Sequence, residues 1–112
     1  MSVNQILSAT ATGAGSPFLI NRVATHTMQM SFTNAGGSCT ALVVDLEGSI
    51  DGANWAQIDT HTFSGPELAA KVALSFASGK LVLFVRANII TLTDTGVTTV
   101  IVSYLSGRIH KG

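Results

Sequence analysis

Asp45, Glu47 and Asp51 place three carboxylates within seven residues, the first grouping in the chain that could hold a cation. A helix-loop-helix calcium loop needs oxygen ligands at alternate positions, glycine at the sixth and a carboxylate at the twelfth. Counting from Asp45, those places hold Ile50 and Ala56; counting from Glu47, Gly52 fits but Ile58 stands twelfth. The loop pattern fails, and the carboxylates read as exposed strand and turn residues. His26, His61 and His110 are far apart, without a His or Glu at metal-ligand spacing, and the two earlier ones read as polar residues on or beside strands. Cys39 is the single cysteine, so no internal disulfide or thiolate cluster is expected, which suits a reducing cytoplasm. Its Gly-Gly-Ser-Cys-Thr loop offers no base, no Gly-x-Ser-x-Gly occurs, and Gly13-Ala14-Gly15-Ser16 lacks the lysine and helix of a phosphate loop. The expectation is therefore a protein that is not an enzyme, with no metal and no cofactor.

Trp55 is the one side chain that could carry recognition. At a hairpin edge it could stack on a sugar ring, or it could cap the open end of a core. Large apolar rings are mostly buried, which favours the core.

These residues sit on a chain patterned for strands. In Ala41 to Ser49, Leu42, Val44 and Leu46 alternate with Val43, Asp45 and Glu47, as in a strand with one buried face. Asp51-Gly52 and Asn54 tolerate positive φ, so the chain reverses and Trp55 to Asp59 return as the second arm of a hairpin. Upstream, Met28, Met30 and Phe32 share one face of a strand over Thr25 to Phe32, and Thr33 to Ser38 break it. Downstream, Ser64-Gly65-Pro66 marks a turn. Residues 67–76 fit either a short helix (Leu68, Val72, Phe76) or a strand (Val72, Leu74, Phe76), with the strand over 71–76 preferred. Ser78-Gly79 reads as a turn into Lys80 to Ile90, and Asp94-Thr95-Gly96 as a turn into Val97 to Leu105, where Val100, Val102 and Tyr104 share a face. Seven or eight short strands without a long helix predict an all-β fold, a single antiparallel β-sandwich or jelly roll. The expected organisation is a flexible arm over 1–16, in which Ile6 and Leu7 can add a short strand, a sandwich over 17–105 and a basic tail over 106–112.

Composition narrows the function classes. Lys plus Arg and Asp plus Glu number six each, so no net charge draws the chain to nucleic acid or anionic lipid. The apolar runs are of strand length, and the N-terminal MSVNQILSATATG is not a signal peptide pattern, so neither membrane span nor leader is expected. Charged residues are 11% of the chain, against about 25% in typical domains. Over a folded area on the order of 5,800 Å², that is roughly one charge per 500 Å². Such a surface suits burial against other protein. Closed self-association would also cover strand edges, and a trimer is the favoured homo-oligomer if the protein occupies threefold positions. Ile6 and Leu7 in the arm, with Arg108, His110 and Lys111 in the tail, are the candidate interface residues.

The run Leu46-Glu47-Gly48-Ser49-Ile50-Asp51-Gly52 with Trp55, followed by Phe84-Val85-Arg86-Ala87-Asn88, resembles small β-sandwich virion proteins of tailed bacteriophages. There a Glu-Gly-Ser-x-Asp-Gly-x-x-Trp hairpin and a later Val-Arg-Ala strand recur. The likeness covers roughly residues 41–105. It implies a non-enzymatic structural part of the particle: a capsid decoration (cement) protein partnered by the major capsid protein, or a tail or head-completion component. The implied location is the virion, with the capsid surface favoured. The alternative from another class is a carbohydrate-binding module that uses Trp55.

Overall fold

The computed structural model describes residues 3–106, with the backbone alone at 21–23. The strands are β1 (Val3–Ala9), β2 (Gly13–Ala14), β3 (Phe18–Ala35), β4 (Cys39–Ser49), β5 (Ala56–Thr62), β6 (Val72–Asp94) and β7 (Val97–Ser106), with one helix, α1 (Gly65–Ala70). Every pairing is antiparallel, in the order β1-β7-β3-β6-β4-β5, and β2 lies against β6. The chain is an all-β sandwich.

Strand β6 makes the two layers. Residues 72–78 pair with Thr25–Ser31 of β3, beyond which come β7 and β1, while residues 84–94 pair with β4, beyond which comes β5. Gly79, at φ 84°, lies between the halves. The expected turn at Ser78-Gly79 is thus a bend inside one strand. The chain does not reverse there because Val82 and Phe84 continue the ladder with Val23 and Leu19 at the start of β3.

The core lies where the inner faces meet. Met28, Met30 and Phe32 of β3 and Val100, Val102 and Tyr104 of β7 face Leu42, Val44 and Leu46 of β4 and Val85, Ala87 and Ile89 of β6, all buried. The period-2 patterns of β3, β4 and β7 therefore mark their inward faces as expected. Gly48 is forced by packing between strands: a Cβ there would stand 2.5 Å from Ile58 Cδ1 and 2.8 Å from Val82 Cγ1. Gly48→Ala should lower stability by about 1–3 kcal/mol through overpacking, read as a lower urea midpoint with unchanged slope.

The strand preferred over 71–76 is present, and a helix precedes it. Residues 67–70 complete a helix before the strand begins at Val72, because Ser64 and Glu67 form a reciprocal capping box and Lys71 closes the helix in the left-handed conformation at φ 64°. The short strand expected at Ile6 and Leu7 is β1, longer than that pair and in register with β7 from Val3↔Leu105 to Ala9↔Val100. Ile6 and Leu7, expected at an interface, are each 8% exposed and belong to the chain's own core. They cap the hydrophobic cluster beside β7, which returns more apolar burial than an extended arm would. Arg108, His110 and Lys111 lie outside the described residues.

Candidate functional site

The two segments quoted for the phage resemblance meet in space. Register between β4 and β6 sets Glu47 beside Arg86 and Asp45 beside Asn88, on the face turned away from the core. Arg86 Nε donates to Glu47 Oε1 at 2.6 Å, and Asn88 Nδ2 donates to Glu47 Oε2 at 3.0 Å. The Arg86 guanidinium lies 4.4 Å from the centre of the Trp55 ring. Stacking on an indole face satisfies the weakly hydrated guanidinium plane while its edge holds the carboxylate. Trp55 is half-buried and outside the core, so its expected role as a core cap is replaced by this stack.

The hairpin tip holds Trp55 in place. Ser49 Oγ accepts from Gly52 N–H at 2.9 Å and donates to Asp51 Oδ1 at 2.9 Å, while the N–H groups of Ala53 and Asn54 both donate to Asp51 Oδ1 at 2.8 Å. Asn54 Nδ2 donates to Asp51 Oδ2 at 2.7 Å. The Asn54 and Ala53 amides, then the Asn54 side chain and the Ser49 hydroxyl, hold the Asp51 carboxyl well below the usual carboxylate range. With Gly52 at φ 76°, each polar residue of the Glu-Gly-Ser-x-Asp-Gly-x-x-Trp run acquires a structural duty. Asp51 satisfies its own loop, and Glu47 is occupied by Arg86 and Asn88. Among the described residues no group of three or more His, Cys, Asp or Glu could hold a metal ion.

A second polar cluster sits inside the sandwich. His26 is buried, a correction to its reading as a polar-face residue. Its Nε2 lies 2.9 Å from the Lys80 carbonyl, which only accepts, so Nε2 carries the proton and Nδ1 accepts from the Tyr104 hydroxyl at 2.6 Å. Nearby, the Ser75 hydroxyl donates to Asp59 Oδ2 across the gap between β6 and β5. A nucleophile, base and orienting acid require the imidazole between serine and carboxylate. Here both imidazole nitrogens are taken by Tyr104 and Lys80, and the serine meets the carboxylate directly. His61 Nε2 meets Glu67 Oε1 at 2.9 Å, tying β5 to α1.

The His26 cluster has a consequence for pH. Burial pushes the imidazole below its ordinary pKa of 6.5, opposed by the Lys80 carbonyl and by the charge of Asp59. The facing groups are the Tyr104 hydroxyl from β7, the Lys80 carbonyl from β6 and the Asp59 carboxylate from β5. Because the folded pKa lies below the unfolded value, the unfolded chain binds the proton first as pH falls. Stability is full above about pH 6.5 and declines as pH falls from there toward the folded pKa, by about 1.4 kcal/mol per unit of depression. Urea midpoints between pH 8 and pH 5 should show this slope, and His26→Gln should flatten it.

The outer face of the other layer sets an exposed apolar row beside a polar one. Val72, Leu74 and Phe76 of β6 project outward, opposite Ser31, Gln29 and Thr27 of β3. A shallow recess of about 150 Å³ beside Leu74 is lined by Val3, Thr27, Gln29, Ser103 and Leu105. No helix among the described residues is long and apolar enough to cross a membrane.

Comparison with known proteins adds a fold. The chain resembles the SPBc2 prophage-derived protein YomS, at a TM-score of 0.52 over 92% of this chain and 90% of that one. Identity is 14%, so the likeness is one of fold. Neither a protein-family profile nor a curated protein matches the chain. The cluster joins Arg86 of the later Val-Arg-Ala strand to Glu47 and Trp55 of the hairpin motif, and nothing in the separations of 39 and 31 positions signals that contact.

Proposed function

We propose that the chain is a non-enzymatic structural protein of a bacteriophage particle, most specifically a decoration protein that binds and stabilises the assembled head shell. It works as a homo-oligomer packed against the major capsid protein. The observation that carries this reading is the outer surface. Val3, Leu19, Ile50, Phe76 and Leu81 are between 58% and 71% exposed, on a chain with 11% charged residues. Large apolar side chains left in water, with few charges to desolvate beside them, favour association with other protein. The prophage origin of YomS, a protein of similar fold, supports a phage setting.

Mixing the purified protein with undecorated shells is expected to give saturable, stoichiometric binding and a higher shell melting temperature. Binding to tails instead would make it a tail or head-completion component, and binding to neither would remove the reading. Because Trp55 lies outside the core, a carbohydrate-binding role is the second reading. A glycan panel that gives a signal lost in Trp55→Ala would select it.

A further inference from the structure

The first half of β6 is an open edge. Residues 72–78 pair with β3 on one side, and among the described residues no strand pairs with their other side. The phase of the ladder identifies the unused main-chain groups. Phe32 N–H donates to the Lys71 carbonyl at 3.1 Å. Antiparallel pairs alternate, so Ala73, Ser75 and Ala77 bond toward β3, and the N–H and C=O groups of Val72, Leu74 and Phe76 point outward. These three residues also carry the exposed side chains, at 42%, 50% and 70%. An unpaired edge with exposed apolar side chains is a template for another strand.

We propose that this edge is occupied by a second copy of the chain, paired antiparallel through the same residues about a two-fold axis at Leu74. The inference rests on the reading of the protein as self-associating and specifies the surface.

Charge and register both select the second copy. Residues 72–79, Val-Ala-Leu-Ser-Phe-Ala-Ser-Gly, contain no ionisable side chain, so a charged partner strand would bury its charges without counterparts. An identical edge brings none. A two-fold at Leu74 sets Leu74 beside its twin and Val72 beside Phe76 of the second copy, small against large, and each of these pairs exchanges main-chain hydrogen bonds. Lys71 then falls opposite Ala77, and the two Lys71 residues stand roughly 20 Å apart, beyond the screening length in physiological salt. A strand of this length contributes less than the roughly 800 Å² per partner of a standard complex, so the dimer is weak and concentration-dependent.

Sedimentation of the full chain across micromolar to millimolar concentration should show the mass rising from 11.6 kDa toward twice that value. Leu74→Lys sets two ammonium groups face to face and should abolish the rise, with an unchanged circular dichroism spectrum and melting curve. Register is read separately by disulfide trapping in a Cys39→Ser background. Across a two-fold at Leu74 the paired Cα atoms are about 5.5 Å apart, within disulfide reach, so Leu74→Cys should cross-link to itself. Val72→Cys, displaced along the ladder, should not. A chain that stays monomeric, a trimer, or a wild-type dimer that Leu74→Lys leaves intact would overturn the proposal, as would equal cross-linking at 72 and 74. Dimerisation without binding to any particle would remove the virion role and leave the edge pairing standing. Shell binding by a protein monomeric at every concentration would do the reverse.

Discussion

Arg86→Ala should lower the unfolding free energy by about 2–3 kcal/mol, the cost of breaking a largely desolvated ion pair moderated by its partial exposure. The Arg86 and Glu47 side chains are 26% and 15% exposed, so water screens the pair only in part. Removing the guanidinium strands the Glu47 carboxylate with Asn88 as its remaining partner and uncovers the Trp55 ring. For a domain of this length the melting temperature should fall by roughly 10–15 °C. The double change Glu47→Gln with Arg86→Met separates charge from packing, because it leaves no unpaired ion. It should cost less than Arg86→Ala alone. Tryptophan fluorescence reads the same event locally, since Trp55 is the single tryptophan and loses its stacked cation. A melting temperature within a few degrees of wild type, with unchanged emission, would show that the cluster holds nothing together.

Tyr104→Ala should cost more, about 3–5 kcal/mol, by opening a cavity in the core. The ring packs edge-on against Phe18 with centroids 6.3 Å apart and lies 5.8 Å from His26, so it joins both halves of β3 to β7. Tyr104→Phe keeps that volume and removes the hydroxyl alone. It leaves His26 Nδ1 without a donor in a buried place, for about 1–3 kcal/mol. The ordering of the two variants in urea is the test. Equal losses would mean that the hydroxyl, and not the ring, carries the interaction.

The inward faces of β3, β4 and β7 were legible because each alternates large apolar residues with Thr, Ser or charged ones. In β6 the alternation of Val72, Leu74 and Phe76 with Ala73, Ser75 and Ala77 competed with a helical spacing of Leu68, Val72 and Phe76, and alternation does not say which face turns inward. Large residues would ordinarily be placed inside. The reverse holds because Ala73 stands opposite Met30 and Ser75 opposite Met28, and these methionines already fill the space between the layers. Only small residues fit beside them, and the bulky ones face solvent. The helix had a readable signal in Ser64-x-x-Glu67 with Pro66 in its first turn, which competed with the strand pattern that begins at Val72. Ile6 and Leu7 were legible as a short strand, but not as core, because a short apolar pair among small polar residues looks too weak to order itself. Its order comes from β7, nearly a hundred residues later.

The hairpin motif was visible as a turn, but the reason for its composition was not. Glu47 and Arg86 become neighbours only through the β4–β6 register, and Gly48 is required by side chains from two other strands. Such contacts are products of topology, which local patterns do not encode.

The passage of β6 from one layer to the other has a mechanical side. In a sandwich whose layers touch only through side chains, a pull on one layer is resisted by soft, short-range cohesion. Here tension applied at Val72–Ser78 travels along covalent backbone past Gly79 into the strand clasped by β4. Drawing the layers apart along their whole length therefore requires unzipping one half of β6 from β3 or the other from β4.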